Sequence, residues 1–414
     1  MEGFVVTGGN ANREDDNWRG GGMLNWYGNP TVKHCRFFAN AALNGGAGLC
    51  SELGGNIVID SCIFDNNFSD GAGGGIYISG GSLKSIDCTF QKNSAQWTGG
   101  GVYLLHGFFT FENCTFRHNS AYKGGGLHNY ARFGVGVTLN GCIFTANTAG
   151  HSGGGMYNND ESKAILNHCI FSGNSAKIYG GGIFTQTRNV VLTLNHCTLV
   201  ANRAGRSAGG MFNAKCELML SNNIFWANTD QEGTIESSQI FQSPYSDNPR
   251  INYCCVQGWT GRFGGMGNID AGPLFVDLGY WDSNSTPADA NDDFWIEGDY
   301  HLLTGSPCID AGDPNYITEP DETDLDGNPR VQDGDNDGIP VVDMGAYEFA
   351  CSYIGDFDGQ CDVDMVDYAI FILAWLTEDG DAGYNPDCDI SIPADNSIDM
   401  LDLAVFVKYW LTGK

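Results

Sequence analysis

An all-β solenoid is the fold that this 414-residue sequence predicts, on three observations. Cysteines recur at Cys35, Cys62, Cys88, Cys114, Cys142, Cys169 and Cys197, spaced 27, 26, 26, 28, 27 and 28 residues, and Asn223 takes the eighth place. Two residues after each stands Phe37, Phe64, Phe90, Phe116, Phe144, Phe171, Leu199 or Phe225, with apolar residues alternating before it. That is a period of two, with no helical 3.6-residue pattern beneath it. Each unit then passes through Gly-Gly-Gly or a weaker glycine pair. A fixed period of this length means stacked coils, and in-register parallel stacking of short strands makes a parallel β-helix. Eight coils at the ~4.8 Å strand spacing give a rod of roughly 40 Å.

The elements of one coil follow in order. The Cys-x-Phe strand leads to Asn40, Asn67, Asn93, Asn119, Asn147, Asn174, Asn202 or Asn228. Asparagine tolerates the left-handed backbone of a sharp corner, and amides stacked one rung apart hydrogen-bond into a ladder. The glycine runs at 20–22, 73–75, 99–101, 124–126, 153–155 and 180–182 supply a second corner with no room for a Cβ. After each run an aliphatic residue (Ile76, Val102, Leu127, Met156, Ile183, Met211) belongs inside the coil. Alternation then sends Tyr77, Tyr103, His128, Tyr157, Phe184 and Phe212 outward. Either this ring column is an exposed stripe for a glycan or protein partner, or a loop or the 270–349 region covers it. His34, His168 and His196 each precede a ladder cysteine and are expected to lend polarity to the surface.

The repeat resembles the right-handed parallel β-helix repeats of secreted bacterial proteins, including the polymorphic outer-membrane-protein type, over about residues 1–230. This gives the expected fold: an all-β, right-handed parallel β-helix of about eight coils over 1–268, a small irregular β module over 269–350, and a helical pair over 351–414. The seven ladder cysteines stack at the rung spacing, too far apart and too parallel for the ~3.5–4.5 Å converging Cβ atoms of a disulfide, so they read as buried free thiols acting as small hydrophobes. Of the other eight, Cys361 and Cys388 are the best disulfide candidates. The first strand of the chain carries no amphipathic cap, as expected of a fragment of a longer precursor or of an end that stacks on another molecule.

Charge divides the chain. Residues 1–229 hold 15 Lys and Arg against 13 Asp and Glu, and residues 230–414 hold 5 against 37. With no basic stripe to neutralise phosphates, nucleic acid is excluded as a partner, and no apolar run reaches the ~20 residues of a membrane span. Acidic loops spaced for Ca²⁺ explain the acidity better.

Four motifs appear in order after the repeats: Ala271-Gly-Pro-Leu-Phe-Val-Asp277, a stretch from Asp299 to Gly312 containing Ser-Pro-Cys-Ile-Asp-Ala-Gly, Asp324-Leu-Asp-Gly-Asn-Pro-Arg330, and Asp343-Met-Gly-Ala-Tyr-Glu-Phe349. They are similar to the module that follows β-helix repeats in the choice-of-anchor group of bacterial surface proteins, which implies export to an extracellular or cell-surface location. Within it, Asp333, Asp335 and Asp337 alternate before a glycine in the pattern that wraps oxygens round one Ca²⁺, with Asp343 able to close the shell. Asp324, Asp326 and Arg330 read as an Asx-turn and an ion pair that fasten the loop to the β-helix.

The last segment carries two loop-plus-helix halves ending at Trp375-Leu376 and Trp410-Leu411. It resembles a type I dockerin. The resemblance implies Ca²⁺ ligands at Asp356, Asp358, Gln360, Asp364 and Asp367 in the first loop, with Gln360 and Cys361 departing from the family pattern. In the second it implies Asp389, Ser391, Asp395, Asp399 and Asp402 in a loop two residues longer. It also implies a cohesin-like or other surface receptor. Val366, Ile370 and Leu373 on one helix and Leu403, Phe406 and Tyr409 on the other are expected to pack between the helices.

For chemistry on the coils, the sequence offers Asp60, Asp65, Asp87 and Glu112 near the cysteines of three successive coils, with Asp60, Asp87 and Glu112 as the catalytic candidates and no adjacent cluster of Arg or Lys. The best-supported reading is a secreted, non-enzymatic adhesive, glycan-binding or structural rod. The alternative is a polysaccharide lyase or glycoside hydrolase tethered through its dockerin-like end, which requires a base or a suitably spaced carboxylate pair in one groove.

Overall fold

A computed structural model describes the whole chain except residues 13–17, 132–134, 188–190, 247–248, 287–292, 321, 336, 351–354, 358–362, 364, 392–393 and 411–414. Its body is a parallel β-solenoid with four sheets, of ten, eight, nine and nine strands. In the ten-stranded sheet the Cys-x-Phe strands run from Val5–Thr7 to Cys255–Val256, and Val6, Phe37, Phe64, Phe90, Phe116, Phe144, Phe171, Leu199, Phe225 and Val256 fall in one column. The expected eight coils thus gain a rung at each end. Both extra rungs put Val where the repeat has Phe, which hides them from the motif.

The interior is a continuous apolar column built on stacked rings, with Phe37 and Phe64 centred 4.7 Å apart and Phe116 and Phe144 4.3 Å apart. The asparagine ladder is present: each Nδ2 donates to the next Oδ1, from Asn40 to Asn67 at 3.0 Å through to Asn202 to Asn228 at 2.9 Å, and Gln239 closes the series at 2.8 Å. Each amide also donates to a carbonyl of the preceding coil, such as Asn93 to Phe64 at 2.8 Å, so both N–H groups of each ladder amide are paired. The left-handed residue, however, is the one before the asparagine: Ala39, Asn66, Lys92, His118, Ala146, Gly173, Ala201 and Ala227 all lie near φ +50°. The ladder side chain secures the corner from inside while its neighbour takes the strain.

The cysteine column makes a matching corner. The residue before each cysteine is left-handed, including His34, Ser61, Asp87, Asn113, His168 and His196. The thiols are buried and free, and they do more than fill space. Cys62 Sγ accepts from the Cys35 N–H at 3.3 Å and donates to the Asp60 carbonyl at 3.3 Å. Asn223 does the same work in the eighth place, accepting from the Cys197 N–H at 2.8 Å and donating to Leu194 O at 2.9 Å. The glycine corners are as tight as expected: a Cβ on Gly75, Gly101 or Gly126 would meet a carbonyl of the next coil at 2.6 Å.

The 269–350 region lies along the outer face of the ten-stranded sheet. It holds two antiparallel pairs, Phe275–Asp277 with Asp299–Leu302 and Tyr280–Asp282 with Phe294–Ile296. Tyr300 and Ala346 pack on Ile170 and Val200, and Leu302, Ile309, Met344 and Phe349 pack on Ile224 and Cys255.

At the C-terminal end, helices Met365–Ala374 and Met400–Tyr409 meet through Phe371 and Phe406, 5.2 Å apart and nearly parallel. The packed face differs from the expected one. Asp367, Phe371 and Ala374 are buried while Val366 and Leu373 are exposed; of the expected set Phe406 is buried and Ile370 and Leu403 are partly so. Cys388 is a buried free thiol, and its expected partner Cys361 lies outside the described residues.

Candidate functional site

The C-terminal module turns one face of the β-helix into a cleft. Two residues before each ladder cysteine, the outward positions of the adjoining sheet carry Asn140, Asn167 and Asn195 in register. Their carboxamides chain together, Asn167 Nδ2 to Asn140 Oδ1 at 2.9 Å and Asn195 Nδ2 to Asn167 Oδ1 at 3.0 Å. Opposite them runs the segment 316–325 of the module, and with Asn113, Ile165 and His168 the two walls enclose about 650 Å³. Unlike the inner ladder, this outer row is half-exposed, so its unused donors and acceptors face the cleft.

His168 joins the walls. Its Nε2 lies 3.0 Å from Glu322, which also accepts from Tyr316 OH at 2.6 Å and from the Glu319 N–H at 2.9 Å. Burial works to raise the Glu322 carboxyl, but these hydrogen bonds outweigh it and hold the group at about 2. It is therefore ionised wherever the protein is folded and has no proton to donate as a general acid. His168 Nδ1 is buried without a partner. His196, stacked on His168, is fully covered by Tyr316 and Arg330, and burial, with Arg330 beside it, pushes its pKa well below the ordinary histidine value. Of the three histidines expected at the surface, only His34 is exposed. His168 and His196 do point away from the coil, but the module roofs them.

Beneath the cleft the module is pinned by a fully buried Arg330, 2.8 Å from Glu348 Oε1 and bonded to the Asp343 and Gly345 carbonyls. Asp324 folds its own turn by accepting from Asp326 and Asn328 N–H and ties in the Glu348 N–H at 2.9 Å. The Asx-turn read for Asp324 is present, but the ion pair of Arg330 is with Glu348, Asp326 pairs with His301, and of the three only Arg330 reaches the β-helix, at His196.

The other candidates fall elsewhere. Asp60 and Glu112 lie on the same outward column as the carboxamides, one rung either side of Ile86, and each pairs with a lysine, Lys33 and Lys84, at 3.0 Å. The basic partners thought to be lacking sit one rung away across the sheet. Lys33 holds the Asp60 carboxyl below its usual range, and Asp87 stands exposed at its corner with φ +50°. These three make no catalytic constellation.

The ring column Tyr77, Tyr103, His128, Tyr157, Phe184 and Phe212 forms outside the core, stacked at 4.7–5.3 Å, and continues to Phe241. It is not an exposed stripe: Tyr77, His128, Tyr157 and Phe184 are buried, and Tyr103 and Phe212 half-buried. The chain leading into each glycine corner folds back over the rings, setting Arg19 over Tyr77, Lys123 over Tyr157 and Tyr179 beside Phe212. Burial, with Lys123 adding to it, pushes His128 down to about 3.

Among the described residues, the carboxylates close enough to share one cation are Asp310, Asp333 and Asp335, with oxygens within 4.8 Å of one another. Asp310 replaces two expected ligands. Asp337 turns to the Ile339 N–H, and Asp343 is buried, accepting from the Asp310 and Phe349 N–H groups at 2.7 and 2.6 Å. Asp343 therefore holds the backbone of a ligand candidate. Of the dockerin-like ligands, Asp358, Gln360 and Asp364 lie outside the described residues. Asp367 accepts from the Phe357 N–H at 2.6 Å. In the second half Asp402 accepts from the Ser391 and Asp399 N–H groups, Asp399 caps its helix, and Asp389 takes the Asn396 N–H, while Asp395 takes Ser397. These side chains order their loop through its backbone N–H groups.

The carboxamide row escaped sequence reading, although Leu-Asn-Gly-Cys and twice Leu-Asn-His-Cys print it at the repeat spacing. What the sequence does not print is the opposite wall. No helix among the described residues is long and apolar enough to cross a membrane. No curated protein matches the chain. Residues 8–116 and 65–225, together just over half of the chain, match the right handed beta helix region family, so with its four in-register parallel sheets this chain is a member of the right-handed β-helix family.

Proposed function

We propose that this is a secreted or surface-displayed, non-catalytic β-helix that binds polysaccharide in the cleft between its coils and its C-terminal module. The observation that carries the reading is the outward row of Asn140, Asn167 and Asn195. It is uncharged, rich in paired donors and acceptors, and repeats along the rod, which suits a neutral polyhydroxylated chain better than an acidic one, since Glu319, Glu322 and Asp324 line the facing wall. Asp60 and Glu112 are paired with lysines and Glu322 is held as its anion, so these three described carboxylates do not favour glycosidic cleavage or β-elimination over binding.

Attachment falls to the helical pair, which we read as dockerin-like and calcium-dependent. Met365 and Ile372 on one helix, and Met400 and Val407 at the matching places on the other, are 64, 45, 66 and 60 % exposed. Duplicated apolar faces on a small acidic domain suit a receptor of the cohesin type. A second Ca²⁺ would be held by Asp310, Asp333 and Asp335 in the module, where Asp333 Oδ1 is buried without a partner.

The test is affinity electrophoresis and calorimetry of the full chain against xylan, mannan, cellulose oligomers and polygalacturonate, with Ca²⁺ and with chelator, while following reducing ends and absorbance near 235 nm. Binding to a neutral glycan that Asn167→Ala weakens at least fivefold, with no product released, supports the reading. Release of reducing ends or unsaturated uronate would replace it with the enzyme, and binding indifferent to Asn167→Ala would remove the cleft from it.

A further inference from the structure

We propose that Cys255 and Cys308 are a dithiol that closes to a disulfide and locks the C-terminal module onto the last coil of the β-helix. The adjacent cysteines of the last coil face opposite ways, as strand alternation requires. Cys254 enters the coil interior and continues the ladder, while Cys255 faces out into the apolar cluster of Ile224, Leu302, Ile309, Met344 and Phe349 that joins coil to module. Cys308 enters that cluster from the module side. Both are fully buried thiols of that one cluster, and Cys255 lies close enough to push the Cys308 thiol well above its ordinary pKa.

Contact alone does not set this pair apart, because successive ladder thiols also meet. Geometry does. Ladder cysteines are held by parallel strands at the rung spacing of ~4.8 Å with their Cβ vectors parallel, and their thiols are engaged by backbone groups of two coils. Cys255 and Cys308 come from segments 53 positions apart that share no strand register, one on the last coil and one in the module, and both enter the same apolar cluster. The surrounding chain is already crossed at this point: Cys255 Sγ reaches the Ala271 carbonyl at 3.1 Å, Ser306 Oγ donates to Pro273 O at 2.6 Å, and Met344 N–H donates to Cys308 O at 3.0 Å. A bond here would close a loop that spans the whole docking hairpin.

The reaction is thiol–disulfide exchange with a small-molecule or protein disulfide. One thiolate attacks R–S–S–R and expels RS⁻; the second attacks the mixed disulfide, so two thiols and one external disulfide yield one internal disulfide and two R–SH. Burial of the finished pair means that closure accompanies folding, before the module seals the cluster.

The experiment is to refold the full chain with glutathione disulfide or with dithiothreitol, alkylate under denaturing conditions, and map peptides by mass. The expected result is a Cys255–Cys308 cross-linked peptide only in the oxidised sample, with the ladder cysteines alkylated in both. Full alkylation of Cys255 and Cys308 after oxidation, or a link that joins either to a ladder cysteine, overturns the proposal. As a second reading, oxidised wild type should melt roughly 5–10 °C above the reduced protein, a gain absent from Cys308→Ser. Coincident melts would show a bond that does not lock the module, and would also sink the idea.

Discussion

Ile63 and Ile170 occupy the same place in the repeat, one residue after a ladder cysteine on the outer face of the same sheet, yet Ile63 is 39 % exposed and Ile170 is 2 % exposed. The backbone treats the two identically. What separates them is a layer that belongs to a different part of the chain: the module covers the later coils and leaves the earlier ones bare. The same split runs down neighbouring columns. Two residues before the cysteines, Asp60 and Glu112 in the bare half are matched with lysines, whereas Asn140, Asn167 and Asn195 in the covered half line a cleft. At the left-handed corner, Asn66 and Lys92 are tolerated in the bare half, but Gly173 is needed where a Cβ would run into the Trp295 ring. Each coil thus solves two problems, a shared one inside and a private one outside.

The sharpest way to break the contrast is Arg330→Ala. It removes the buried ion-pair partner of Glu348 and should cost about 3–5 kcal/mol in thermal or denaturant unfolding of the module, with the Ile170 side chain becoming open to radical footprinting while Ile63 is unchanged. An unaltered melt would show that the module does not dock through this cation.

Next in size is Gly173→Ala, at about 1–3 kcal/mol from displacing Trp295 and forcing a Cβ into the left-handed region. Asn66→Ala, the equivalent corner of the bare half, should stay within about 0.5 kcal/mol. Equal losses at the two sites would erase the distinction.

A pH titration sharpens it further. The Glu322 carboxyl is depressed to about 2, so its contribution is fully present above the unfolded value near 4.5 and is lost as pH falls from there towards 2. Acid should therefore loosen segment 316–325 first, monitored by Tyr316 fluorescence or exchange, and Glu322→Gln should flatten that part of the profile. The smallest effect belongs to the bare half. Lys84→Ala removes an exposed pair with Glu112 and should change stability by less than about 1 kcal/mol, declining further in salt.

The split also explains what was legible in the sequence. Everything that repeats was: the rungs, the Asn and Cys columns and the glycine corners follow from one period. One inference from the same period went astray, and one open alternative was decided. The left-handed corner falls one residue before Asn40 and its counterparts, because the ladder amide must point inward and the preceding residue makes the turn. The ring column from Tyr77 to Phe212 points outward as alternation requires, but the segment before each glycine run, whose length varies between coils, closes over it. The cleft was half legible. Its carboxamides are periodic, whereas Glu322, Tyr316 and Arg330 reach it through contacts between residues 120 to 154 positions apart, which no local pattern encodes. The same applies to Asp310, which stands in an apolar motif and joins Asp333 and Asp335 only through folding.

The inner asparagine ladder has one further property. From Asn40 to Asn228 every amide-to-amide hydrogen bond runs in the same direction along the rod, towards the C-terminus, while the second N–H of each amide turns back to a carbonyl of the preceding coil. Aligned amides polarise one another, so the row acts as a single electric axis buried in a medium that screens it poorly. Its positive pole points at the end of the solenoid from which the strongly acidic segment continues. The rod is therefore a polar object with a built-in sense, and two copies lying side by side would favour opposite orientations over parallel ones.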